Sequence, residues 1–535
     1  MAADIRSAVG AALALAALAL WSWALRLPGI SLPMMSDEGG YAYEAILLGQ
    51  GDVPYRDAYD QKPPVVYFLY RLAFRVFGFG ERGPRLLALL FAWATMVLLF
   101  SLSPPEWPIA ARLAAPAAYA AMSAEPIGDM GFAAVPEAFL GLFLAASARF
   151  LIASWHSASR GRWLFLSGAA AALAVMTKQT AAWPAAVFFL LALWERRTRE
   201  AGPARRVREA ACFILGAAAA AAPFLIFFWN RGALPELWDQ AFRRNLDYSA
   251  VMLSPGAVPL QVDWLRRVVL PLFMARDWPV WVLALAGLLA PRPTNDRREI
   301  LYTAWLAAAV VATATGFYFF PHYFLQLHPT LALAAAMGVR RLSVHRPGLA
   351  AAAVFSLALY PGAVHARAFL FDPPELAAKR LMHPNPLNEA RRAAEFIRHR
   401  SRPEDRIYVF GSEPQIFVGA GRRAATRHMY VFPLTLFPRD PALIDRELAD
   451  LARERPRFLV YVGVPSSTLI ASSEGARLRD GVRLMARQSY DLIAEIPVLE
   501  GGGGAPGTAA LAPQGALPDW SREDRLWIFE LRADK

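Results

Sequence analysis

Two short segments near the N-terminus carry the residues best suited to chemistry: Ser36-Asp37-Glu38-Gly39-Gly40-Tyr41 and Tyr59-Asp60-Gln61-Lys62-Pro63-Pro64. The first offers an adjacent pair of carboxylates, the second a lysine in front of two prolines. Glu137, Lys178 and His322 are further ionisable residues beside apolar runs. Lysine and histidine can hold a phosphate while a carboxylate takes the proton of an attacking hydroxyl. Charges in such places are costly, about 2.5–3.5 kcal/mol each at the centre of a membrane span on insertion scales, and their retention points to function.

These residues are set in an unusually apolar chain. Its 535 residues are 56% hydrophobic and 19% charged, with a mean hydropathy of +0.30. Such a composition excludes an ordinary soluble protein and predicts a polytopic membrane protein. The net charge of +12 does not imply nucleic acid, because Arg occurs in short clusters between apolar runs. The one cysteine, Cys212, lies inside an apolar run and excludes a disulfide framework or a thiolate metal site. The first apolar stretch is longer than a signal-peptide core and reads as an uncleaved signal-anchor.

Windows able to cross the hydrocarbon layer predict about eleven spans. Their cores are 8–25, 83–102, 108–122, 132–153, 163–177, 179–195, 209–230, 274–290, 300–319, 323–339 and 348–366, the eighth shortened by Arg276 and Asp277. With a cytoplasmic N-terminus, the inner loops contain Arg160 and Arg162; Arg196, Arg197, Arg199, Arg205, Arg206 and Arg208; Arg292, Arg297 and Arg298; and Arg340, Arg341 and Arg346. The opposing short loops contain only Lys178, as the positive-inside rule requires. This parity places loops 26–82 and 231–273 outside, together with the C-terminus. Tyr67, Tyr70, Arg71, Phe74, Arg75 and Phe77 read as parts of amphipathic helices in the membrane interface.

The expected division is a transmembrane domain over 1–369 and a small extracytoplasmic α/β domain over 370–535. In the latter, 387–400 has helical spacing, 406–411 reads as a buried strand, and Asp440-Pro441 starts a helix to about Glu454. Strands are also expected at 457–463, 489–497 and 525–532, with a Gly/Pro-rich loop at 500–518.

On this topology Asp37, Glu38, Lys62, Asp129, Glu137, Lys178 and His322 all fall at the outer ends of spans, which implies one outward-facing cavity containing carboxylates and cations. A polyprenyl-phosphate sugar suits such a cavity, since its tail stays in lipid while its head group reaches the interface. The expected reaction is glycosyl transfer. Asp37 is the candidate base, and the helix cap and first-turn acid are the structural alternatives for Asp37 and Glu38. Glu137 calls for a partner, with an Arg as the structural alternative.

The order of Asp37-Glu38 after the first span, Lys62-Pro63-Pro64, Thr177-Lys178-Gln179 ending a span, and His322-Tyr323-Phe324 before a Pro-containing span resembles the GT-C class of integral-membrane glycosyltransferases. It is most similar to the dolichyl-phosphate-mannose-protein mannosyltransferase-like group that includes the aminoarabinose transferase of lipid A. The resemblance covers roughly residues 8–345, and more weakly 385–430. It implies that Asp37 is the catalytic carboxylate with Glu38 beside it, and that Lys62 and Lys178 contact the lipid phosphate or shape the donor pocket. His322 and Tyr323 join the substrate-binding set, with Glu137. Some relatives carry an acid before Lys-Pro-Pro where this chain has Gln61, which bears on the choice of sugar.

The resulting expectation is a multi-pass enzyme of the bacterial plasma membrane, moving a sugar by inversion from a polyprenyl-phosphate donor to a glycan, lipid or protein hydroxyl. No metal or other cofactor is required, a divalent cation being an allowed addition, because no clustered His/Cys ligand set exists and the cations can stabilise the leaving phosphate. The competing classes are a transporter, which would need ion coupling and paired broken helices, and an envelope assembly protein without catalysis.

Overall fold

The computed structural model describes residues 2–124, 131–194, 203–290, 297–364, 373, 376, 385–437, 440–498, 509–513 and 515–532. Asp129, Arg196, Arg197, Arg199, Arg292 and most of the 500–518 loop lie outside the described residues.

Each of the eleven apolar stretches is built around a helix among the described residues. The first seven helices are α1 (Ala2–Ile30), α2 (Ser36–Gln50), α3 (Val65–Phe77), α4 (Arg82–Leu102), α5 (Ile109–Met122), α6 (Pro136–His156) and α7 (Arg160–Thr177). The later spans correspond to helices at Ala182–Leu193, Pro203–Trp229, Leu270–Leu289, Arg297–Ala314, His328–His345 and Pro347–Val364. Among the described residues, five helices are long and apolar enough by length and composition to cross a membrane: Ala8–Ile30, Arg82–Leu102, Pro136–His156, Ala204–Trp229 and Ala257–Leu289. The bundle core is rich in alanine, from Ala111 to Ala121 and Ala332 to Ala336, which lets helix backbones approach closely.

The eighth span differs from its sequence reading. Helix continues from Ala257 through a π-turn at Leu265–Val269 to Leu289, so the second loop is shorter than 231–273 and is itself largely helical. Arg276 and Asp277 are tolerated because they pair with each other in a buried contact, and Arg276 also lies over the Phe273 ring. The backbone leaves helical geometry at Asp277 (φ −115°, ψ 18°), two residues before Pro279, where the proline removes a helix hydrogen bond.

The arginine-bearing helix ends meet at one end of the bundle. Glu209 bridges Arg160 (2.9 Å) and Arg205 (3.1 Å), and Glu299 bridges Arg340 (2.7 Å) and Arg341 (3.4 Å). At the other end of the same helices lie Lys178, Glu137 and His328. Glu137 stands in the first turn of α6, so the helix begins at Pro136, inside the expected span 132–153, and Glu137 sits at its mouth.

The first loop folds as the helical pair α2 and α3. Gly51, in the left-handed region at φ 97°, ends α2, a conformation that glycine adopts without steric cost. Lys62-Pro63-Pro64 precedes Val65, where a missing backbone N–H costs α3 nothing. Leu72, Val76 and Phe77 are exposed on one face of α3, as an interfacial helix requires. Tyr67 and Tyr70 are not interfacial anchors: both are fully buried. Their hydroxyls donate to Lys62 O (3.0 Å) and Ala134 O (3.0 Å), because this face of α3 packs on α2 and α4.

The C-terminal domain is a six-stranded mixed sheet with order β2-β1-β3-β6-β4-β5. Its strands are β1 (Arg406–Phe410), β2 (Arg423–Ala424), β3 (Phe458–Val462), β4 (Tyr490–Pro497), β5 (Ala510–Leu511) and β6 (Arg525–Leu531). β1 pairs in parallel with β2 and β3, while β6 is antiparallel to β3 and β4, with Val460 opposite Ile528. The four longer strands stand where the sequence places them; β2 and β5, of two residues each, carry too little pattern to read. Period two sends Ile407, Val409 and Val460 to one face and Tyr408, Phe410 and Tyr461 to the other.

The first of those faces shares a single core with the loop helices, in which Tyr41, Ala42, Tyr67 and Tyr70 join Ala390, Ile397, Ile416 and Phe417. Gly39 and Gly40 make this approach possible. A Cβ on Gly39 would overlap the backbone of Gln415, and one on Gly40 would overlap the Tyr430 hydroxyl. The glycines after Asp37-Glu38 thus serve contact between helix and domain, which the Ser36 hydroxyl reinforces by donating to Ser412 O.

Candidate active site

One cavity of about 230 Å³ lies where the bundle, both loops and the C-terminal domain meet. The start of α2 contributes Ser36, Asp37 and Tyr41, and the turn before α3 contributes Asp60, Gln61 and Lys62. Tyr248 comes from the second loop, His322 and Tyr323 from the 3-10 helix Pro321–Leu327, and Ser412, Glu413, Tyr430 and Ser466 from the C-terminal domain.

Asp37 is the acid that reaches solvent, its side chain 36% exposed in the first turn of α2. His322 Nε2 stands 3.8 Å from its Oδ2, too long for a hydrogen bond but near enough for mutual electrostatic influence. Lys62 is held by its backbone: its carbonyl accepts from Tyr55 OH (2.7 Å) and Tyr67 OH (3.0 Å). Its ammonium forms no salt bridge within 4 Å among the described residues, though it stands near enough to Asp60 to favour that carboxylate's charged form.

Glu38, next in sequence, is placed away from the cavity. Its oxygens accept from Arg85 Nε (2.9 Å) and Nη2 (2.5 Å), from Ala134 N (2.9 Å) and from Met35 N (3.1 Å). Arg85 also donates to Gly29 O (2.8 Å) and Leu32 O (2.7 Å). This geometry makes Glu38 a clamp fixing the start of α2 to α4 and to the loop before α6.

Glu137 and Lys178 form a buried ion pair with each other beneath the cavity, so Glu137's partner is Lys178, not an Arg. The Lys178 ammonium lies 3.7 Å from the centre of the Tyr323 ring, a cation–π contact. Tyr323 therefore separates this pair from the cavity it lines. His322 packs edge-on to Tyr323 at 4.7 Å, and the segment leading to it is strained: Phe317 (φ 60°) and Phe319 (φ 49°) are both left-handed. Such conformations cost about 1–3 kcal/mol each and cluster at functional sites.

Among the cavity groups missed in the sequence are Asp60, Glu413 and Tyr248. Burial pushes the Asp60 carboxyl up to about 6, opposed by Lys62 and by the Gln61 backbone N–H donating at 2.6 Å, and raised further by Asp37. Burial likewise pushes Glu413 up to about 7, against hydrogen bonds from Gln415 and Ser467. Tyr248 stacks on Tyr318 at 4.0 Å and closes the cavity's side. Asp60 stood two residues before Lys62-Pro63-Pro64, and Ser412-Glu413 follows β1 after Gly411. The carboxyl end of a parallel strand is a usual place for ligand contacts, and that signal could have found Glu413.

Several polar atoms around the cavity are buried without a hydrogen-bond partner: Tyr41 OH, Asp60 Oδ2, Gln61 Oε1, His322 Nδ1, Ser412 Oγ and Ser466 Oγ. Unsatisfied groups at this density are costly, and a polar ligand would satisfy them. Among the described residues no three His, Cys, Asp or Glu side chains gather to hold a metal ion.

The profile of the dolichyl-phosphate-mannose-protein mannosyltransferase family matches residues 61–227. That span includes Lys62, Glu137 and Lys178. The fold is similar to that of ArnT from Cupriavidus metallidurans bound to undecaprenyl phosphate, with a TM-score of 0.61 and 16% identity over 98% of each chain. The apo state of the same protein gives 0.58 at 16% identity and the same coverage. An apo oligosaccharyltransferase from Archaeoglobus fulgidus gives 0.50 at 12% identity, over 94% of this chain and 74% of that chain. No curated protein matches the sequence. The chain therefore resembles the GT-C glycosyltransferases in part of its sequence and in the fold of nearly its whole length.

Proposed function

We propose that the chain is a glycosyltransferase that moves a sugar from a polyprenyl-phosphate donor to an acceptor hydroxyl at the outer face of the bacterial plasma membrane. The observation that carries this reading is the meeting of an exposed acid, Asp37, with an unpaired cation, Lys62, in one cavity at the head of an apolar bundle. The GT-C fold supports it, as does the undecaprenyl phosphate bound to the structurally similar ArnT. The outer-face placement is supported by the arginine-bearing helix ends at the far end of the bundle.

In the proposed step the acceptor oxygen forms a bond to the anomeric carbon as the carbon–oxygen bond to phosphate breaks. The bonding pair leaves with the lipid phosphate, whose charge Lys62 balances, and the acceptor proton passes to the Asp37 carboxylate. One displacement inverts the anomeric configuration. His322, beside Asp37, orients that carboxylate, and Tyr323 with the Glu137–Lys178 pair forms the floor under the phosphate. Lys62 and His322 serve the charge that a divalent cation would otherwise neutralise, so turnover proceeds without a required metal and a chelator leaves it unchanged. The acceptor is a glycan, lipid or protein hydroxyl.

Mass spectrometry of envelope lipids and glycans, with and without the gene, tests the reading. The expected result is one sugar missing from an envelope component and an accumulating polyprenyl-phosphate sugar. Unchanged lipids and glycans would overturn it.

A further inference from the structure

One wall of the cavity belongs to the C-terminal domain, and its chemistry is specific. Ser412 and Ser466 each present a buried hydroxyl with no partner. Glu413 follows Ser412 and lines the same wall, 2% exposed, its carboxyl accepting from Gln415 Nε2 (2.5 Å, on Oε2) and from Ser467. Across the cavity Gln61 Oε1, Asp60 Oδ2 and Tyr41 OH are likewise buried and unpartnered, in residues 4%, 4% and 1% exposed. A sugar joined directly to a phosphate at Lys62 has its hydroxyls within reach of these walls.

We propose that Ser412, Glu413 and Ser466 form a shelf that binds the hydroxyls of the donor's sugar, and that this sugar is a neutral hexose or pentose, with neither amino group nor carboxylate. The assignment rests on the lipid-phosphate donor proposed for the same cavity. A uronate would meet the carboxylates of Asp37 and Asp60 with no cation of its own, since the phosphate occupies Lys62 and His322 stands beside Asp37. An amino sugar would need an ionised partner of its own, and the cavity's ionised acids are already committed, Asp37 to the acceptor's proton and Asp60 to neighbouring Lys62. Gln61 offers an amide instead, and Glu413 is held by the Gln415 amide in a site that keeps it protonated into the neutral range. A protonated carboxyl on one wall with two hydroxyls both donates and accepts, which is what a neutral polyol requires.

The test uses the full chain in nanodiscs and farnesyl phosphate as the sugar-free probe. Its glucosyl, mannosyl, galactosyl and arabinosyl esters are compared with the aminoarabinosyl and glucuronosyl esters. One of the neutral esters should bind more tightly than farnesyl phosphate and than either charged ester; a charged ester binding most tightly overturns the neutral-sugar assignment. For the tightest neutral ester, Glu413→Ala should lose about tenfold in affinity and Glu413→Gln less than about threefold, while farnesyl phosphate binds both variants as it binds wild type. Equal losses in the alanine and glutamine variants would require an ionised carboxylate and overturn the proposal. If Glu413→Ala does not fold, Ser412→Ala/Ser466→Ala serves the same purpose, and an unchanged gain from the sugar in that variant refutes the shelf. Failure of farnesyl phosphate to bind wild type would refute the donor reading itself, a separate outcome.

Discussion

Glu38→Gln separates the two roles that neighbouring carboxylates invite. Glu38 accepts four hydrogen bonds, two of them from Arg85, in a side chain only 2% exposed. Glutamine keeps one acceptor oxygen and turns an N–H₂ towards donors, leaving the buried Arg85 without its counter-charge. Removing one partner of a buried ion pair costs about 3–5 kcal/mol. Arg85 retains carbonyl acceptors at Gly29, Leu32 and Pro33, so the lower end, about 3 kcal/mol, is expected. That is a large share of the about 5–15 kcal/mol by which folded proteins are stable. Thermal unfolding of the purified variant should drop by several degrees, while turnover per folded molecule falls less than tenfold, because Glu38 does not line the cavity. Arg85→Met should reproduce the destabilisation, and the double variant should cost less than the sum of the two. A Glu38→Gln protein with wild-type unfolding temperature and abolished turnover would refute the clamp and restore Glu38 to the chemistry.

Three further outcomes follow from the same geometry. Lys62→Met should fold normally, since its backbone contacts survive, yet bind polyprenyl phosphate about 10- to 100-fold more weakly, the value of a charge-assisted hydrogen bond; unchanged affinity by calorimetry would exclude Lys62 as the phosphate cation. Glu413 binds its proton up to about 7 in the folded state against 4.5 as the ordinary value, so the native state holds more protons than the unfolded one between those pH values, and stability falls as pH rises through that window. Glu413→Gln should therefore raise the unfolding temperature at pH 8, by an equivalent of about 3 kcal/mol, and change it little at pH 4; a pH-independent difference would contradict this. Single cysteines in a Cys212-free background should be labelled from outside at 470–485 and only after permeabilisation at 340–346, and the reverse pattern would invert the topology.

Much of the fold was legible because it rests on local signals. Long apolar windows became helices, Arg placement matched the ends that meet in the structure, and β1, β3, β4 and β6 followed from buried runs bounded by turn residues. What escaped was what depends on distant partners. Arg276 and Asp277 looked like the end of a span because their mutual pairing is invisible in hydropathy. Tyr67 and Tyr70 looked interfacial because nothing local reveals that α3 turns that face to α2 and α4. The site shows the same division: Asp37, Lys62, His322 and Tyr323 stand in the cavity, whereas Glu38 is turned to Arg85 and Glu137 to Lys178. Glu413 was hidden because its link to Asp37 exists only through the packing of Gly39 and Gly40 against a domain nearly 400 residues away.

The central claim is that Asp37 accepts the acceptor's proton in a single displacement. The most direct measurement is turnover of a polyprenyl-phosphate sugar by folded Asp37→Asn, read as released polyprenyl phosphate, with the anomeric configuration of the wild-type product determined by NMR. Loss of a general base predicts a fall of about 100- to 10,000-fold with donor binding preserved, and an inverted product. Turnover within tenfold of wild type, or a product of retained configuration, would contradict it.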